Sequence, residues 1–91
     1  MVVADRNAEG AEAVAAELNA ARPDSALGVG CNVMVEAEVA GLVARAEEAF
    51  GPVDLFCANA GVALGTDPVE TPDADWETAI GVNVLAHVYA A

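Results

Sequence analysis

Three short runs of apolar residues, Met1–Ala4, Ala26–Cys31 and Val53–Cys57, constrain the fold most strongly, because Asp54 is the only charge that interrupts them. A strand with one wet face alternates apolar and polar residues, so a run that is apolar at nearly every position belongs to a sheet covered on both sides. Each run is followed by a stretch in which apolar residues recur at helical spacing. The first stretch has Ala11, Val14, Ala15, Leu18 and Ala21, the second Val39, Leu42, Val43, Ala46 and Phe50, and the third Trp76, Ile80, Val84 and Val88. Strand and helix alternating in this way predict an α/β fold, a parallel sheet with helices on both faces, of about three strands and three helices.

The boundaries carry their own signals. Asp5-Arg6-Asn7 reads as the approach to a helix cap, with the helix running from Asn7 to about Ala21 and broken by Arg22-Pro23-Asp24-Ser25. Gly51-Pro52 stops the second helix. Ala58 to Thr71 reads as a loop, and Thr71-Pro72-Asp73 as the N-cap, first-position proline and first-turn acid of a third helix.

Composition removes several functions. Fifteen acids against Arg6, Arg22 and Arg45 give a formal charge of -12, which repels nucleic-acid phosphate and anionic membrane. The absence of lysine excludes a phosphate-cradling Gly-Lys-Ser/Thr loop and Schiff-base chemistry. Ser25, Tyr89 and His87 are the only residues of their types and have no context that pairs them as nucleophile and base. No metal-ligand spacing occurs. Cys31 and Cys57 are expected to be buried free thiols in a reducing, cytoplasmic setting. The apolar fraction of 56% exceeds what a free-standing domain of 91 residues needs, so the chain is expected to be a piece of a larger domain.

Asp5, at the carboxyl end of the first run, is placed to cap a helix or to accept hydrogen bonds from both hydroxyls of an adenosine ribose, and the two roles are compatible. An acid there repels a 2′-phosphate, whereas Arg6 beside it can hold one; NAD is expected over NADP. The most specific tract is Gly51-Pro52-Val53-Asp54-Leu55-Phe56-Cys57-Ala58-Asn59-Ala60-Gly61. It closely resembles the fourth-strand motif of the classical short-chain dehydrogenase/reductase family, in which Gly-x-x-Asp leads into an apolar strand ending Asn-Asn-Ala-Gly. Small residues at such a strand end let a nucleotide lie against the backbone. The resemblance extends from the strand ending in Asp5 through Cys31-Asn32-Val33 to Asp75-Trp76 and Asn83-Val84, nearly the whole chain.

This resemblance implies a partial Rossmann-like doubly wound parallel sheet, with residues 1–91 forming part of an NAD(P)-binding domain from the family's second strand to the helix after its fourth. It implies cofactor binding by Asp5, Arg6, Asn32, Val33, Asn59, Ala60 and Gly61. It also implies a catalytic role for Asn83, which in the family belongs to a tetrad with serine, tyrosine and lysine, shapes the helix and helps hold a water in the proton relay. The activity implied for the full-length parent is hydride transfer between a nicotinamide and an alcohol or ketone carbon, in a homo-oligomer. The 91 residues offer only Asn83 of that tetrad. A non-catalytic nucleotide-binding or subunit-interaction fragment, docking through the apolar third helix, is the alternative; an unrelated flavodoxin-like domain would need a serine- or threonine-rich phosphate loop.

Two positions depart from the family pattern. Ala58 replaces the first asparagine of the strand-end motif, and Asn32 replaces an aspartate that often accepts from the adenine amino group. Gly28-Val29-Gly30 lies inside a strand and is not a phosphate loop. The family's sheet order places its first strand between the second and the fourth, so Val53–Cys57 is expected to have unpaired backbone groups and the isolated chain to be marginally stable.

Overall fold

The computed structural model describes residues 1–91. The order is β1 (Val2–Asp5), α1 (Ala8–Ala21), β2 (Leu27–Gly30), α2 (Glu36–Phe50), α3 (Asp73–Ile80), a π-helical turn at Gly81–Leu85, and α4 (Ala86–Ala90). β1 and β2 pair in parallel, from Val2 opposite Leu27 to Asp5 opposite Gly30. The α/β reading therefore holds, and both strands end at the same sheet edge.

Helix α1 lies on this sheet through its smallest residues, with Ala11 and Ala15 buried and Val14 exposed. The close approach needs Gly28: a Cβ built there would meet the backbone of Glu12 at 2.6 Å. The glycines of β2 thus serve packing, in agreement with their reading as part of a strand. Asn7 caps α1, its side chain accepting from Gly10 N–H at 3.2 Å. Gly51, at φ 86°, ends α2, and its N–H donates to Glu47 O at 2.8 Å.

A second small core forms where Val29, Cys31, Val39 and Leu42 are buried together, with Val33 and Tyr89 packed against them. Tyr89 brings α4 to α2. The radius of gyration, 15.0 Å, exceeds the roughly 12 Å of a compact domain of this length, and the extents of 50 × 24 × 17 Å describe an elongated slab. No helix is long and apolar enough to cross a membrane.

Three expectations are corrected. Val53–Cys57 is not a strand: the sheet contains β1 and β2 alone, and no backbone hydrogen bond joins the segment to either. Its residues have strand-like preferences, but a ladder requires a neighbouring strand, and without one Leu55 remains 79% exposed. Cys57 follows the same segment and is exposed, whereas Cys31 is buried; both are free. Thr71 does not cap α3, because its hydroxyl donates to Asp67 O and closes the preceding turn, leaving Pro72 at the cap.

One stabilising residue had no sequence signal. Asn19 on α1 accepts at Oδ1 from Ser25 N–H at 2.9 Å and Ala26 N–H at 2.8 Å, and donates through Nδ2 to Ala26 O at 2.9 Å. It holds the turn that feeds β2. Asn19→Ala leaves these partly buried backbone groups without partners and is expected to lower the unfolding free energy by about 1–3 kcal/mol. Chemical denaturation measures this directly; an unchanged midpoint would show that water replaces the amide without loss.

Candidate functional site

The parallel register sets the carboxyl ends of β1 and β2 side by side, and Cys31 N–H continues the pairing by donating to Asp5 O at 2.9 Å. Asp5 and the turn after β2 are therefore neighbours. Asp5 does not cap α1; its Oδ1 accepts from Asn7 N–H at 2.8 Å, which bends the chain into the helix and leaves Oδ2 free to accept from a ligand. Arg6 follows it at the surface.

The turn from Cys31 to Val35 uses nearly all its amides internally. Asn32 N–H donates to Glu38 Oε2 at 2.5 Å, Met34 N–H to Asn32 Oδ1 at 3.1 Å, and Val35 N–H to Asn32 O at 3.0 Å. Val33 N–H alone in this turn meets no protein acceptor. It is a donor left over at the sheet's carboxyl edge. The Cys31 thiol beside it is pushed above its ordinary pKa, first by burial and then by the charge of Glu38, so at neutral pH it stays a protonated packing group.

The facing wall is the segment Cys57–Val62, held by Asn83. The Asn83 side chain accepts at Oδ1 from Val62 N–H at 2.9 Å and donates through Nδ2 to Val62 O at 2.8 Å, pairing both backbone groups as a strand neighbour would. Asn83 lies in the π turn, where one extra residue is accommodated in the helical run.

Between these walls is a cleft of about 590 Å³. Asp5, Arg6, Asn32, Val33, Asn59, Ala60 and Gly61, the seven residues expected to bind a cofactor, all line it. Asp5 and Arg6 supply the only carboxylate and the only guanidinium on its lining. Asn83 is not on the lining and reaches the cleft through Val62. Met34, Thr78 and His87 also line it and were not foreseen. Glu38 was missed as well, although an acid three residues into a helix is a known partner for backbone amides before it.

A two-stranded parallel α/β unit with a mixed polar and apolar cleft at its carboxyl edge belongs to the open α/β class of folds, in which ligands bind at that edge. The comparisons specify it. The short chain dehydrogenase family profile matches residues 1–91, and the chain belongs to that family. It is 40% identical over 88 residues to an inactive 2-(S)-hydroxypropyl-CoM dehydrogenase 2 of Xanthobacter autotrophicus, covering 96% of this chain and 36% of the relative. A 3-ketoacyl-(acyl-carrier-protein) reductase from Brucella melitensis complexed with NADH superposes with a TM-score of 0.89 at 32% identity, over 98% of this chain and 36% of that one. A metagenomic short-chain oxidoreductase in complex with NADP superposes with a TM-score of 0.87 at 28% identity, over 98% and 40%. The chain thus has part of the Rossmann-type α/β fold of these proteins and spans between 36% and 40% of each.

Proposed function

We propose that the chain is the adenosine-binding part of an NAD(P)-dependent oxidoreductase that interconverts an alcohol and a ketone. The observation carrying this reading is the convergence of all seven expected residues on one cleft. Their chemistry fits an adenosine diphosphate. The free Asp5 oxygen suits ribose hydroxyls, the unpartnered Val33 amide suits a ring nitrogen of adenine, and Asn59-Ala60-Gly61 lets phosphate and sugar approach the backbone. Asn32 brings a neutral side-chain acceptor, already engaged by Met34 N–H, where a carboxylate would bind the adenine amino group more strongly.

The nicotinamide, when bound, would supply hydride transfer. Asn83 acts on that chemistry at one remove, by fixing Val62 and with it the loop that follows Gly61. NAD is favoured over NADP because Asp5 offers a negative charge to the ribose, with Arg6 as the opposing influence. The protein encoded by the full reading frame is expected to bind NAD saturably and in competition with adenosine diphosphate ribose, as followed by isothermal calorimetry. Binding of neither NAD nor NADP removes the reading. A non-catalytic docking fragment is the second reading, favoured by the exposure of Trp76, Ile80, Val84 and Val88 along the third helical run.

A further inference from the structure

We propose that Glu38 positions the adenine side of the cleft, a role that rests on the dinucleotide reading above. Helix α2 starts without a side-chain cap, since Val35 at its N-cap has no acceptor to give. Glu38, three residues further on, reaches back past Val35 to the N–H of Asn32 at 2.5 Å. Asn32 in turn holds Met34 through its side chain and Val35 through its carbonyl. One carboxylate therefore anchors a chain of three hydrogen bonds that orders the turn, and the amide this arrangement leaves unused is that of Val33, on the cleft.

Two consequences follow from the chemistry. Engaging Asn32 N–H removes it as a competitor for a ligand acceptor, so recognition falls to the single amide of Val33. A carboxylate–amide bond is also roughly twice as strong as a neutral one, which fixes a turn whose own asparagine carries no charge. Without Glu38, Asn32 N–H turns to water, and the peptide unit joining Cys31 to Asn32, one before the unit that carries the Val33 amide, loses its anchor.

The test uses the protein encoded by the full reading frame, with adenosine monophosphate and nicotinamide mononucleotide as probes of the two halves of the site. Glu38→Ala is expected to weaken NAD and adenosine monophosphate about tenfold while leaving nicotinamide mononucleotide unchanged. Glu38→Gln, whose amide oxygen can still accept from Asn32 N–H, is expected to recover part of the loss. Unchanged adenosine monophosphate affinity in Glu38→Ala overturns the proposal, and so does equal weakening of both probes, which would mark a general effect on folding. A wild-type protein that binds neither NAD nor NADP overturns the dinucleotide reading itself and takes this role with it.

Discussion

Gly28→Val is expected to destabilise the fold by about 3 kcal/mol or more, the upper range for overpacking. Its Cβ would lie 2.6 Å from both Glu12 Cα and Glu12 N and 2.7 Å from Ala11 C. These are backbone atoms of a helix, so no side chain can swing aside. Either α1 lifts from β2, exposing Ala11 and Ala15, or β2 shifts out of register with β1. Gly41 in α2 is the internal control: a Cβ there meets nothing within 4 Å, and Gly41→Ala is expected to stabilise by roughly 0.5–1 kcal/mol through helix propensity. Urea denaturation of both variants separates close packing from a general intolerance of glycine replacement. Equal midpoints for Gly28→Val and wild type would refute the packing argument.

The second large effect concerns the choice of dinucleotide. Asp5→Asn is expected to shift the ratio of kcat/KM for NAD over NADP towards NADP by about fivefold to a thousandfold. The range follows from a charge about 4 Å from a 2′-phosphate, worth ~1–4 kcal/mol between effective dielectrics of 80 and 20. The substitution keeps an oxygen for the Asn7 N–H bond, so the bend into α1 survives and the change reports charge. Arg6, on the same cleft and now unopposed, adds to the shift. An unaltered ratio in the protein encoded by the full reading frame would place the ribose away from Asp5.

What the sequence revealed was what depends on local pattern. β1, α1, β2 and α2 were legible because continuous apolar runs and helical periodicity both point to them, and the seven residues that share the cleft were singled out by the resemblance of their motifs to a family. Val53–Cys57 was misread as a strand because pairing is a property of two segments, and its residues show only the preference of one. Trp76, Ile80, Val84 and Val88 are spaced by four, but the π turn between them carries an extra residue, and all four are exposed while Val82 and Ala86 are buried. Asn19 was unreadable as an anchor because its partners lie in a turn whose shape no residue pattern specified; Glu38 stands where an acid bonds an amide before the helix, but nothing in the pattern pointed to Asn32 as the residue that supplies it.

The double hydrogen bond between Asn83 and Val62 bears on how the cleft can open. A loop edge tied at both its donor and its acceptor cannot rotate about one bond while keeping the other, so the Val62 peptide and the π turn form a single hinge leaf. Any molecule that pushes this wall outward must either carry the helical run with it or break both bonds together. The width of the cleft is thereby coupled to the one place in that run where the helical repeat is already relaxed.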